Sequence, residues 1–294
     1  MLQNNITNFL QYCKNSNFAE RSIESLTFRL HEFNLFIQTV SLSSIKEINY
    51  LHLTQFIADY NNPSPFVKKA RVWCLRQFFH FLKLQQLINN NIALKLPYPK
   101  IEKKIPQFLT IDEFNAILKH FAQQAATPIG LRNFVIIALL GFLGLRTSAI
   151  VNLDIEHIDL AESRIWITQK GVQGQTKTDL PLPQLVCQLL VEYIQQLNTK
   201  QGPLFMSKQN RRLARRSVQS IFYKVAQTLG INKKLHPHLF RHTAATHLNQ
   251  VAGLEITQFV LGHQQQHNTH QYAHLNPDIY AQHMRKHPYM KLDL

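Results

Sequence analysis

Six side chains in the later part of the sequence are of the types that transfer a phosphoryl group: Arg146, Lys170, His238, Arg241, His263 and Tyr272. Two guanidinium groups can each fork onto the non-bridging oxygens of a phosphodiester. They neutralise charge that grows in the transition state, which a lysine ammonium does less well. A tyrosine hydroxyl can attack phosphorus and leave a covalent phosphotyrosine. A histidine near that hydroxyl takes its proton, and a lysine gives one to the departing 5′ oxygen. The arginines fill the electrostatic role of a metal, so neither a metal nor any other cofactor is expected.

Residue type alone would not single these out. There are 15 histidines, and His120, His157, His283 and His287 fall in no pattern, so they are read as surface or satisfied core residues. His238 and His263 differ because each belongs to a cluster, His238-Leu239-Phe240-Arg241-His242 and Leu261-Gly262-His263. His263, His267, His270 and His274 are spaced 4, 3 and 4, which would form a metal-binding stripe on a helix, but Gly262 and the polar run after it weaken a continuous helix there. No metal is assigned. Arg164 and Lys177 are alternatives to Lys170 as the basic catalyst, and the position of Lys170 just before a hairpin tip favours it. Tyr280 and Tyr289 are read as packing residues of the tail.

The elements that must carry these groups are mostly helical. Ile6, Phe9, Leu10 and Cys13, then Leu26, Leu30, Phe33, Phe36 and Ile37, then Val72, Leu75, Phe78, Phe79 and Leu82 recur at helical spacing. Residues 1–96 are therefore expected to form a small helical domain, with Ser22 capping its second helix and Asn61-Asn62-Pro63-Ser64-Pro65 breaking the chain before a helix from about Phe66. Residues 97–108 contain Pro97, Pro99 and Pro106 and no periodicity, and are expected to be the linker. From residue 109 a second domain runs to 294. It opens on Thr110 with Glu113, a capping-box signature, and continues through an apolar run, Asn133 to Leu143, that is too short for a membrane span and reads as a buried helix. Arg164-Ile165-Trp166-Ile167-Thr168 and Asp179-Leu180-Pro181-Leu182 flank Lys170-Gly171-Val172-Gln173-Gly174-Gln175 as a hairpin, and helical periodicity is expected from Pro183 to the end. The fold class expected is mainly α with a small antiparallel β-sheet.

Composition narrows the partner. Lys and Arg number 32 against 17 Asp and Glu, a formal charge of +15 that favours a polyanion such as nucleic acid. The excess is shared: residues 1–100 hold 11 basic and 5 acidic side chains, and residues 101–294 hold 21 and 12. Two basic clusters are candidate DNA contacts: Lys68, Lys69, Arg71 and Arg76 on a first-domain helix, and Arg211, Arg212, Arg215 and Arg216 ahead of another. Cys13, Cys74 and Cys187 are too scattered for a disulfide framework or a thiolate zinc site, which fits a reducing cytoplasm. No apolar run approaches the roughly 18 residues of a membrane span, so no membrane is expected.

Gly144-Leu145-Arg146, Lys170 in a hairpin, His238-Leu239-Phe240-Arg241-His242-Thr243-Ala244-Ala245-Thr246-His247, Leu261-Gly262-His263, and Tyr272 nine residues after His263 resemble, in order and spacing, the motif set of the tyrosine recombinases, the lambda-integrase and Xer family. The region from Lys68 to Leu82, Ile88-Asn89-Asn90-Asn91, Pro106 and Leu109 to Glu113 is similar to that family's core-binding domain and its junction. The resemblance implies that Arg146 and Arg241 clamp the scissile phosphate and that His263 hydrogen-bonds it. His238 then handles the tyrosine proton, Lys170 is the acid for the leaving group, and Tyr272 is the nucleophile. It implies a 3′-phosphotyrosyl intermediate and strand exchange without ATP on double-stranded DNA carrying a recombination site. It further implies a homotetramer linked by a helix over residues 277–284, and a second recombinase or accessory protein as a further partner. The length, which leaves no room for a further N-terminal arm-binding domain, leans towards the simple Xer-like kind.

Departures from the family pattern are specific. Ala149 stands three positions after the first arginine, where the family carries an acidic residue that buttresses the site. Asn91-Ile92 replaces the usual Asn-Pro, and residues 264–271 are rich in glutamine and histidine. Ala149 motivates a rival reading, a recombinase-fold protein that binds DNA without cutting it. A second rival, a type IB topoisomerase, shares the chemistry and is disfavoured by the helical first domain.

Overall fold

The computed structural model describes residues 2–42, 44–101, 107–171, 174–197, 199–223, 225–261 and 284–285, with the backbone alone at 169–171 and 174–176. The chain divides into two compact units, Met1–Lys104 and Ile105–Leu294. Helices dominate, and the strands form one small antiparallel sheet, as the sequence patterns lead one to expect. Among the described residues no helix is long and apolar enough to cross a membrane.

The first unit consists of α1 (Leu2–Asn15), α2 (Glu20–Thr39), α3 (Tyr50–Ala58) and α4 (Pro65–Leu84). The positions marked by helical spacing are inside: Ile6, Phe9, Leu26, Leu30, Phe33, Leu75 and Phe78 are all buried. Each such side chain contributes roughly 1.5–3 kcal/mol by leaving water. Aromatic rings knit the centre, with Phe33 5.1 Å from Phe56 and Phe9 5.5 Å from Phe78, both edge-on. The cap of helix α2 lies three residues earlier than expected: Ala19, not Ser22, is its N-cap, and Glu20 supplies the first-turn negative charge that suits a helix N-terminus. Helix α4 begins where the punctuation predicts. Asn61 and Asn62 turn the chain at φ of 58° and 42°, Ser64 Oγ accepts the amide of Val67 at 3.4 Å, and Pro65 opens the helix.

Arg71 corrects the expected basic face of α4. It is 1% exposed, donates from Nη1 to the carbonyls of Phe56 (2.7 Å) and Tyr60 (2.8 Å), and lies 3.4 Å from Glu32, with its guanidinium 4.4 Å from the centre of the Phe56 ring. Burial, the largest influence, pulls its pKa below the usual guanidinium range, and Glu32 opposes that shift. Arg71 ties α4 to α2 and to the end of α3 and has no surface to offer DNA. Arg76 is also drawn inward: Nη2 donates to the Leu96 carbonyl at 2.6 Å, and the guanidinium rests 4.5 Å above the Tyr98 ring. Lys69 is exposed and Lys68 half-buried. Asn91 turns its Oδ1 onto the amide of Ala93 at 3.0 Å, so the Asn-Ile pair still makes a turn without the proline.

The second unit is built around α6 (Pro128–Leu143), buried on every side from Phe134 to Leu143, which is why its sequence shows no polar face. Helix α5 (Ile111–Gln123) begins at the expected capping box: Thr110 Oγ1 accepts the amide of Glu113 at 3.1 Å, and Glu113 Oε2 accepts that of Thr110 at 2.7 Å. The α5 residue Phe114 meets Phe142 and Phe240 edge-on at 6.2 and 5.8 Å. After the short helix α7 (Thr147–Val151) come β1 (Ile158–Asp159), β2 (Arg164–Gly171) and β3 (Gly174–Pro181), paired antiparallel in that order. The hairpin register runs from Arg164 opposite Pro181 to Gly171 opposite Gly174.

Helix α8 (Gln184–Gln195) follows, but helical periodicity does not then run to the end as expected. Between α8 and α9 (Arg215–Ser220) the chain turns at positive φ at Gly202 and Asn210 and forms single bridges, Asp154 with Pro203 and Met206 with Arg212. Helix α10 (Val225–Thr228) leads to α11 (Pro237–Leu261), which is interrupted at Gly253, where φ is 80°.

Candidate active site

Three of the six candidate groups, Arg146, His238 and Arg241, lie wholly within the described residues, and the structure brings them together. Helix α6 ends because Gly144 adopts the left-handed conformation, φ 59°, which only glycine takes without strain. The turn delivers Arg146 as the residue preceding α7, its carbonyl accepting the amides of Ala149 (2.8 Å) and Ile150 (3.1 Å). Arg241, on the second turn of α11, is only 4% exposed. Its Nη1 donates to the carbonyl of Gly144 at 2.7 Å, and its Nη2 donates to the carbonyl of Leu261. One guanidinium thus joins the turn before Arg146, its own helix, and the first residue of the Leu261-Gly262-His263 motif. Five N–H donors belong to an arginine. Among the described residues two of them are taken by carbonyls.

Charge follows the geometry. Burial and then the nearby Arg146 bring the pKa of Arg241 down to about 10, still high enough for a full positive charge at neutral pH. Burial, Arg241 and Arg146, in that order, lower the pKa of His238, so it is neutral at physiological pH and able to accept a proton. Two guanidinium groups and an imidazole of lowered pKa in one place can receive the single charge of a phosphodiester and the second that develops at phosphorus in the transition state, with a proton acceptor beside it.

The sequence patterns assign no role to His242 or His236, the neighbours of His238. His242, one turn along α11, meets the His238 ring edge-on at 4.4 Å, and its pKa is lowered by burial, then by His238, Arg241 and His236. His236 Nδ1 accepts the amide of Leu239 at 3.1 Å and so caps α11 just before Pro237. The i,i+4 spacing of His238 and His242 was the available signal for the first of these.

Lys170 has its backbone in β2, opposite Gln175 and one residue before the end of the strand; its side chain lies outside the described atoms. Of its alternatives, Arg164 is engaged across the hairpin with Asp179 at 2.7 Å, and Lys177 stands opposite Thr168. His263 and Tyr272 lie outside the described residues, as do the histidine stripe and the helix expected over 277–284. Among the described residues no group of three or more His, Cys, Asp or Glu side chains could hold a metal ion. Ala149 is buried in α7 and brings no carboxylate to the site.

In the second basic cluster, Arg211 and Arg216 are exposed and Arg215 is half-buried. Arg212 corrects the expectation for that cluster. It is exposed as well, but its Nη1 donates to the carbonyls of Val151 (3.1 Å) and Leu153 (3.3 Å), and its Nη2 pairs with Asp154, so these donors are turned onto the protein itself.

The chain is similar to several known proteins. Residues 107–278 match the family described as the phage integrase family. Tyrosine recombinase XerC of Anoxybacillus flavithermus is 28% identical over 282 residues, covering 92% of each chain. XerC of Alcanivorax borkumensis is 34% identical over 214 residues, covering 71% of this chain and 68% of the relative. Among solved structures, the XerH recombinase bound to its difH substrate in a pre-cleavage complex matches with a TM-score of 0.68 at 22% identity, covering 94% of this chain and 83% of that one. A lambda integrase tetramer bound to a Holliday junction matches with a TM-score of 0.72 at 14% identity, covering 91% and 78%. At those identities the structures speak for the fold alone. With more than half of the chain matched by the family and a relative above 30% identity over most of its length, the chain belongs to the phage integrase family, as a site-specific tyrosine recombinase of the lambda integrase/Xer type.

Proposed function

We propose that the chain recombines double-stranded DNA at a specific site, with Tyr272 attacking the scissile phosphate, Arg146 and Arg241 holding its non-bridging oxygens, and His263 adding a hydrogen bond. His238 takes the tyrosine proton and Lys170 protonates the leaving 5′ oxygen. The observation that supports this most is the placement of Arg241, bonded to the carbonyls of Gly144 and Leu261, near enough to Arg146 for that charge to lower its own pKa and near enough to His238 to lower the pKa of the imidazole. The neutral state of His238 suits proton uptake, and the phosphotyrosyl bond keeps the energy of the cleaved ester for rejoining.

In this reading residues 1–96 are a DNA-binding domain that grips the core site, 97–108 a linker and 109–294 the catalytic domain. Lys68, Lys69, Arg211, Arg215 and Arg216 remain as backbone contacts, while Arg71, Arg76 and Arg212 serve the protein's own framework. The active assembly is a tetramer on DNA, the form in which lambda integrase meets a Holliday junction, linked through residues 277–284. A second recombinase or an accessory protein takes part, and the work is done in the cytoplasm. Integration or excision of a mobile element, resolution of DNA dimers and inversion of a DNA segment are tasks this chemistry serves.

The test is a nicked suicide duplex carrying a site recovered by binding selection. A covalent protein–DNA adduct that forms with wild type and disappears in Tyr272→Phe supports the reading; an adduct that persists in Tyr272→Phe, or never forms with wild type on a bound site, refutes it.

A further inference from the structure

Between α8 and α9 the chain returns to the exit of α7 and runs along it. Leu204 N donates to the Leu153 carbonyl (3.0 Å) and Ile155 N to that of Gly202 (2.9 Å). The strap closes on itself through Ser207 N to the Arg211 carbonyl (2.8 Å) and Leu213 N to that of Phe205 (2.9 Å). From it Arg212 reaches three acceptors, the carbonyl of Val151 that ends α7 and, just beyond the helix, the carbonyl of Leu153 and the carboxylate of Asp154.

Helix α7 has five residues, too few to hold a direction by its own hydrogen bonds, and Arg146 is the residue at its other end. Ala149, buried in the middle of this helix, has no side-chain polar atom to brace it. We propose that Arg212 is a positioning residue for Arg146: it fixes the far end of α7 and thereby the aim of the arginine that enters the site. The ion pair with Asp154 adds little alone, since the two side chains are 39% and 30% exposed. The bonds to the carbonyls of Val151 and Leu153 carry the effect, with a positive charge where a helix C-terminus favours one. A lysine point charge cannot span three acceptors as the planar fork does.

The inference rests on Arg146 neutralising the scissile phosphate, and the experiment separates the two claims. Single-turnover adduct formation is measured for full-length wild type, R212A and R212K, with saturating protein. Two suicide duplexes are used, one with a normal scissile phosphate and one with an uncharged methylphosphonate there; DNA affinity is measured across a salt series in parallel. A misplaced catalytic group loses on the order of 10²-fold in rate. R212A is expected to lose roughly that on phosphate, with R212K in between, while DNA affinity and its salt slope stay at wild-type values. On the methylphosphonate, where there is no charge for Arg146 to neutralise, the deficit shrinks to a few-fold. An equal deficit on both duplexes makes Arg212 merely structural and overturns the proposal. A normal rate with weaker binding and a shallower salt slope overturns it in favour of a DNA backbone contact. Failure of wild type to form any adduct takes down the recombinase reading and this inference together, an outcome distinct from either of those.

Discussion

Replacing Gly144 by alanine should damage both the stability of the second unit and the cleavage chemistry, and the two costs can be worked out separately. The first is the backbone: φ is 59°, where an L-residue is disfavoured by about 1–2 kcal/mol. The second is steric. A methyl group at Gly144 would stand 2.4 Å from Leu261 Cδ2 and 3.2 Å from Ala244 Cβ, and both neighbours are buried. Overpacking of that kind costs about 1–3 kcal/mol. The sum, about 2–5 kcal/mol, is a large part of the ~5–15 kcal/mol that holds an ordinary domain together. Gly230 provides the control. It also has positive φ, 63°, but nothing lies within 4 Å of an added methyl, so Gly230→Ala should show only the backbone cost. Urea unfolding followed by Trp166, in a Trp73→Phe background, compares the two. Gly144→Ala should lose at least about 1 kcal/mol more than Gly230→Ala. It should also slow adduct formation, because relieving the contact with Leu261 moves the two carbonyls that orient Arg241. Equal losses in the two variants, or a wild-type cleavage rate in a folded Gly144→Ala protein, would refute the reasoning.

Arg71→Met should destabilise the first unit by about 3 kcal/mol, because the carbonyls of Phe56 and Tyr60 lose a buried donor, and leave the salt slope of DNA binding unchanged; Lys69→Ala should do the reverse, lowering that slope by about one with little change in stability. Denaturation and binding across a salt series check both. Titration of His238 by NMR in the free protein should show its pKa below the ordinary histidine value, and Arg146→Gln, by removing one repelling charge, should raise it; an unchanged value would mean that Arg146 is not beside it. His236, His238, His242 and His247 all have lowered pKa values, so the unfolded chain binds protons that the folded one refuses. The stability they confer is therefore complete above the unfolded value near 6.5 and falls away as pH drops towards the folded values, which unfolding measured between about pH 5 and pH 8 should reveal.

The parts of the fold that were legible in the sequence are those set by neighbours along the chain. Thr110 and Glu113 mark the start of α5 because both halves of the capping box lie within four residues, and the hairpin is visible because its two β-favouring runs flank a glycine-containing tip. Motif order singled out Arg146, His238 and Arg241, which the fold brings near one another. Arg71 was misread although its signal was present. It lies four, seven and eleven residues before Leu75, Phe78 and Leu82, on the stripe that forms the core, and its charge obscured a periodicity that a leucine there would have completed. Arg212 had no such signal. Its partners are about sixty residues away, in a segment with no repeat of any period, and nothing local announces a contact that exists only once the strap has folded back.

Arg241 is oriented by two main-chain carbonyls and, among the described residues, by no side-chain acceptor. A carbonyl is supplied by every amino acid, so the aim of this guanidinium is written into the path of the chain and not into the identity of its partners. Position 144 must stay glycine for the turn, but position 261 needs only a side chain that packs. A site held in this way can keep its geometry while the sequence around it drifts, which is one physical route by which chains sharing 14% of their residues retain the same fold.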